Sequence, residues 1–104
     1  MAVYVDDWRQ WARVGPIEAR WSHLTADTDE ELHELAGRIG LRREWFQDRH
    51  SDETRHHYDV TDERRAEAIA AGAIPVTWRE GARLRRLRRA ARDHPEPGSE
   101  VAEA

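Results

Sequence analysis

Short apolar runs alternate with amphipathic stretches along this chain. Ala2–Asp6 is rich in β-branched and aromatic residues and predicts a first strand, with Val3, Val5 and Asp7 on one face and Tyr4 and Asp6 on the other. Asp7–Arg20 keeps no period. Gly15-Pro16 interrupts it, so it reads as a loop or hairpin-like excursion. Trp8 and Trp11 lie three apart, which places them on one side of a short turn, where they are expected to cap the core rather than form a lid over a site. Trp21–Ala26 predicts a second strand, with Trp21, His23 and Thr25 facing one way and Ser22, Leu24 and Ala26 the other.

The period then changes. Thr28–Ile39 carries Leu32, Leu35, Ala36 and Ile39 on one helical face, opens on a Thr28/Glu31 capping box and closes at Gly40. His33 falls beside that stripe and is expected to be solvated. Arg42–Gln47 predicts a further helical turn anchored by Trp45 and Phe46, and Asp48–Arg55 a mobile polar surface loop. His57–Val60 predicts a third strand. Thr61 caps a helix running to about Ala71, with Ala66, Ile69, Ala70 and Ala73 as its buried stripe. Ile74–Thr77 reads as a short fourth strand with Pro75 at its start or on an edge. Trp78–Arg92 is the last helix, with a narrow apolar stripe of Leu84, Leu87 and Ala91 among arginines. The order is β-β-α-turn-β-α-β-α. Strands separated by helices predict a small α/β domain with a mostly parallel sheet of three to four strands and about three helices. The domain spans residues 1–92, and Asp93–Ala104, with Pro95, Pro97, Gly98 and several acids, reads as a disordered acidic tail.

Composition narrows the picture. A chain of 104 residues, 38% hydrophobic and 37% charged, makes one domain with a thin core and no large deep cavity. Its five tryptophans are expected to supply much of the buried apolar area. It has no cysteine, so any metal must sit on imidazole and carboxylate ligands. The N-terminal residues have neither a basic region nor a long apolar one, and no run is long enough to cross a bilayer. A soluble cytoplasmic protein without membrane partners is expected. The net charge of −4 conceals an asymmetry: residues 78–92 carry +6, residues 1–77 carry −6 and residues 93–104 carry −4. All 17 basic residues are arginine, as a GC-rich genome tends to encode.

The candidate chemistry centres on His56-His57-Tyr58-Asp59-Val60. His57 and Asp59 share one strand face, and Tyr58 shares the other with Val60. In a parallel sheet, polar groups gather at the C-terminal strand ends, where Asp6, Asp7, Asp27 and Asp59 would converge with His23 and His57. His23, His57 and Asp59 are candidate ligands for Mn²⁺, Fe²⁺, Ni²⁺ or Zn²⁺, and Asp6 and His57 are the candidate catalytic groups, with Asp7, Asp27 and Tyr58 in support. Such a site could hydrolyse a phosphorylated or nucleotide-like small molecule. It could equally do metal-free acid–base work, with His57 as base oriented by Asp6 or Asp59. Two plainer roles compete: Asp27 and Asp59 as helix-start residues, and His23 as a core histidine bonded to a carboxylate. No H-E-x-x-H, P-loop or G-x-G-x-x-G occurs.

The rival function is a non-enzymatic module. Arg83, Arg85, Arg86, Arg88, Arg89 and Arg92 could track the phosphates of a nucleic acid. The exposed tryptophans and last helix could instead serve a homodimer or another protein. The residue types do not decide between enzyme and binding module.

Tyr4-Val5-Asp6-Asp7, Ser22-His23-Leu24, Ala26-Asp27-Thr28 with Glu30-Glu31-Leu32-His33, Ile39-Gly40, Trp45-Phe46-Gln47, His57-Tyr58-Asp59 and Ala70-Ala71-Gly72-Ala73 occur in this order. Together they resemble a small bacterial and phage family, the domain-of-unknown-function family numbered four thousand and thirty-one. The resemblance covers most of residues 2–80. It implies a single domain of about this length and brings no activity with it. Trp8, Trp11 and the Asp48–Arg55 insert depart from that pattern.

Overall fold

A computed structural model describes residues 2–48 and 55–93. The segment 49–54, which holds most of the expected mobile loop, and residues 94–104, which hold most of the expected tail, lie outside the described residues. The elements are β1 (Val3–Val5), β2 (Gln10–Val14), β3 (Ile17–Ala26), α1 (Asp29–Arg38), a 3-10 turn (Arg43–Trp45), β4 (Tyr58–Thr61), α2 (Asp62–Ala70), β5 (Ile74–Pro75) and α3 (Trp78–Asp93). The α/β class and three helices agree with the sequence reading. Among the described residues the sheet has five strands and is mixed, and only β1 and β5 pair in parallel.

The expected mostly parallel sheet is therefore corrected, and β3 is the reason. It is ten residues long and accepts antiparallel neighbours along both edges. Trp21 pairs with Gln10 on one side and Thr61 on the other, and Leu24 pairs with Val5 and Tyr58. β1 and β2 thus share one edge of β3, and β4 takes the other. Of the two readings of the excursion after β1, loop or hairpin, the hairpin holds. Val14 faces Ile17 across the two residues Gly15 and Pro16. Gly15 has φ +60° and proline fixes the next φ near −65°, the signs that a type II′ turn requires.

Between β1 and β2 the ladder bulges. Val5 faces Leu24 and Gln10 faces Trp21, so Asp6, Asp7, Trp8 and Arg9 stand opposite only Ser22 and His23. Arg9 adopts φ +44°, a left-handed conformation uncommon for any residue other than glycine. The bulge is held by Arg9 N–H donating to the buried Ser22 Oγ at 3.1 Å and by Trp8 N–H donating to Asp6 Oδ1 at 3.1 Å.

The two sheet faces differ in chemistry. Val3, Val5, Leu24, Tyr58 and Val60 point to one side and pack with Leu32, Leu35 and Ala36 of α1 and Ala68 of α2. Capping boxes set the helix starts: Thr28 with Glu31 at α1, and Thr77 with Glu80 at α3. The other face presents Asp6, His23, Thr25, His57 and Asp59, and α3 crosses it. No helix among the described residues is long and apolar enough to cross a membrane.

Four packing expectations change, the first on α2, where Ala66 and Ala70 of the expected buried stripe are exposed and Ala68 is buried instead. Among the tryptophans only Trp21 is buried, its indole N–H donating to Ala12 O at 2.9 Å; Trp8, Trp11, Trp45 and Trp78 are all exposed. Trp8 and Trp11 therefore do not cap the core, because the bulge and the edge strand β2 carry them outside it. The expected apolar stripe of α3 is not its inward face: Leu87 is 54% exposed, while Gly81, Ala82, Leu84, Arg85, Arg88 and Arg89 are partly covered. The sheet face beneath α3 is polar, so arginine suits it better than leucine does. His33, expected in solvent, bonds through Nδ1 to Tyr58 Oη at 2.8 Å and packs edge-on against Phe46.

Burial, reinforced by the charge of Arg43, pushes the His33 imidazole below its ordinary value. A base with a lower pKa when folded binds fewer protons in the folded state. Its contribution is complete above the unfolded value of about 6.5 and is lost as pH falls below that and through the lower folded value. The urea midpoint is thus expected to fall between about pH 7.5 and pH 5 more steeply than in His33→Gln. Equal slopes in the two proteins would exclude His33 as a source of acid sensitivity.

Candidate functional site

The polar sheet face collects residues from four segments. His23 sits on β3 directly opposite Asp59 on β4. His57, two residues before Asp59 and so on the same face, is fixed by a bridge to Gln47, whose N–H donates to His57 O at 2.8 Å. Asp6 enters from the start of the bulge. The site thus lies across an antiparallel face, not at the C-terminal ends of parallel strands, because cross-strand pairing aligns these residues.

Both imidazoles have Nδ1 committed, and His57 Nε2 also faces a carboxylate. His23 Nδ1 lies 2.7 Å from Asp6 Oδ2, and the other Asp6 oxygen accepts the His23 backbone N–H at 3.0 Å. Burial opposes the charged Asp6 carboxylate. Hydrogen bonds from the His23 ring and backbone and from Trp8 N–H outweigh that cost and hold it below the usual carboxylate range. An ionised Asp6 only accepts, so His23 Nδ1 carries the proton and Nε2 is the nitrogen left to coordinate. His57 Nδ1 lies 2.9 Å from the Arg55 carbonyl, again an acceptor, and its Nε2 lies 3.3 Å from Asp59 Oδ1. Burial opposes protonation of His57, but Asp59, the Arg55 carbonyl and the charge of Asp6 together raise its pKa above the ordinary value. The two rings meet edge to face, with centroids 5.2 Å apart.

His23, His57 and Asp59 each offer a ligand atom within 4.8 Å of the others. The donors suit a divalent transition metal, and the acceptors behind both imidazoles supply the outer hydrogen bonds that orient metal-bound histidines. Asp6 serves His23 with both oxygens, and Arg65 Nε donates to the Asp6 carbonyl at 2.8 Å.

Above these residues opens a cavity of about 310 Å³, lined among others by Asp6, Trp8, His23, His57, Trp78 and three arginines, Arg55, Arg85 and Arg88. Arg88 lies 3.6 Å from Asp27. Partial burial, compounded by the positive charges of Arg55, Arg89, Arg86 and Arg88, pushes the Arg85 guanidinium below its ordinary value. Among the described residues no carboxylate forms an ion pair with Arg85. The start of α3 passes close to the bulge: a Cβ on Gly81 would lie in ordinary contact with Asp6 Cβ, at 3.8 Å.

Asp7 lies next to the cluster and accepts the Trp78 N–H at 2.7 Å, which pins the start of α3. Asp27 accepts the Ala2 N–H and holds Arg88. Tyr58 points to the opposite, buried face. Arg83, Arg86 and Arg92 are exposed on α3. Sequence reasoning did not bring Arg55, Trp8 and Trp78 to the site or join Arg85 and Arg88 to the histidines. The available signal was the Thr77/Glu80 capping box followed by Gly81-Ala82, which marks a helix starting against the sheet.

A family model described as "Protein of unknown function (DUF4031)" matches residues 3–90. No curated protein and no solved structure matches the chain.

Proposed function

The chain belongs to the DUF4031 family of proteins of unknown function, and we propose that it is a metal-dependent hydrolase of small phosphorylated molecules. The observation that carries this reading is the joining of two features in one place. The two histidines of a His23–His57–Asp59 cluster, both with Nδ1 tied to an acceptor, line a cavity that Arg55, Arg85 and Arg88 also line. His23 and His57 act as ligands through Nε2, and Asp59 is the third ligand. Asp6 is a positioning residue that keeps His23 in the coordinating tautomer. A bound divalent ion supplies Lewis-acid polarisation of a phosphoryl oxygen and lowers the pKa of water.

The arginines hold the ester's anionic oxygens, and Arg85 gains most because a phosphate would relieve the repulsion around it. In the reaction a water oxygen bonds to phosphorus, the ester P–O bond breaks, and the proton lost by water ends on the leaving alcohol. A nucleic-acid reading of α3 draws on fewer residues than the sequence offered, since Arg85 and Arg88 face the cavity.

The test is a phosphomonoester hydrolysis screen of metal-loaded full chain beside Arg85→Gln. Loss of a charged hydrogen bond is expected to raise KM by about ten- to a hundredfold, with metal content unchanged. Absence of turnover on every ester while the metal is bound would refute the hydrolase reading. Equal KM values would refute the role of Arg85.

A further inference from the structure

We propose that the ligand of this cavity is a nucleoside monophosphate whose base rests against the indoles of Trp8 and Trp78. The inference builds on the phosphate site described above and assigns the remaining part of the ligand. Both indoles line the cavity, yet Trp8 is 38% and Trp78 is 49% exposed. In a domain with so thin a core, large rings left at the mouth of an arginine-walled cavity are unspent apolar area.

Their placement is also fixed. The neighbouring carboxylates Asp6 and Asp7 each accept one tryptophan backbone N–H: Trp8 at 3.1 Å and Trp78 at 2.7 Å. Asp6 in the same geometry holds His23, and the Trp8 ring leans on the His23 ring with centroids 5.2 Å apart. The Arg79 guanidinium lies 5.4 Å from the Trp78 ring centroid. Two aromatic platforms on separate segments, the bulge and the start of α3, thus share a cavity with the arginines and the histidine pair.

The chemistry of the walls selects the ligand class. An anionic end meets Arg55, Arg85 and Arg88, and a planar aromatic end meets the indoles. A sugar phosphate would satisfy the first and leave both indoles in water. The volume of about 310 Å³ is at the small end of the roughly 300–1,000 Å³ usual for ligand sites, which suits one base–sugar–phosphate unit and not a dinucleotide. Stacking on aromatic side chains tolerates any base, so preference among bases should be weak.

The experiment is calorimetric titration of the full chain with AMP, CMP, ribose 5-phosphate and inorganic phosphate. AMP and CMP are expected to bind roughly five- to a hundredfold more tightly than ribose 5-phosphate. Trp78→Ala and Trp8→Ala should each shrink that ratio, and Trp78→Phe should keep most of it. Arg85→Gln should weaken all the phosphorylated probes together. Circular dichroism melts of each variant confirm that it is folded. Ribose 5-phosphate binding as tightly as the nucleotides to the unaltered chain would overturn the base platform and leave the phosphate site standing. Binding of none of the four probes would overturn both. A ratio unchanged in folded Trp8→Ala and Trp78→Ala would also overturn the platform.

Discussion

Leu24→Ala is expected to destabilise the fold by about 2–5 kcal/mol, the cost of deleting a large aliphatic side chain where the surroundings cannot collapse into the gap. Leu24 has no solvent exposure and sits mid-sheet, paired with Val5 on one side and Tyr58 on the other. It packs in one cluster with Leu32, Leu35 and Ala68, so both α1 and α2 lose contacts together. Domains of this size hold about 5–15 kcal/mol in total, and a thin core places this one at risk of unfolding at physiological temperature. Urea denaturation of the full chain reads the difference directly. A loss under about 1 kcal/mol would mean that this sheet face is not the main core. The same strand carries His23 one residue away on the other face, so the core and the site stand or fall with β3.

Asp59→Ala and Asp6→Asn should separate a metal ligand from the group that orients one. Asp59 is one of three donors, and its removal is expected to abolish stoichiometric binding of Zn²⁺ or Mn²⁺. Asp6→Asn keeps an oxygen that can accept from His23 Nδ1 but removes the charge, so affinity should drop by about ten- to a hundredfold without loss of the site. Metal-binding isotherms on the two variants check this. If Asp6→Asn were the more damaging change, the coordination sphere would include Asp6, and Asp59 would only pair with His57.

Which candidate residues share a sheet face is more legible than the register that brings them together. A strand period of two is enough to put His57 and Asp59 on one face, and the same rule puts His23 and Thr25 together. Their meeting across β3 and β4 depends on register, which no local pattern encodes. The parallel sheet was the natural inference from helices lying between strands, and it failed because the ten-residue β3 recruits β1, β2 and β4 as antiparallel neighbours. A hairpin is readable at Gly15-Pro16, but the bounds of β2 are not, since its exposed residues include Trp11, at 64% exposure, and Val14, which blur the apolar–polar alternation of a surface strand. The helix starts at Thr28 and Thr61 were readable because capping is local chemistry. The inward face of α3 was not, because a stripe of Leu84, Leu87 and Ala91 counts as core only if the surface it meets is apolar. Here that surface is Asp6 and the histidine pair, and Arg85 and Arg88 line one cavity with them.

The measurement closest to the central claim is a calorimetric titration of metal-free, tagless full chain with Zn²⁺ and with Mn²⁺, repeated on His23→Ala and His57→Ala. The expected result is one ion per chain for at least one of the two metals, a rise in melting temperature on binding, and loss of both effects in each variant. Absence of saturable binding, or binding that survives both histidine substitutions, would contradict a metal centre at His23, His57 and Asp59.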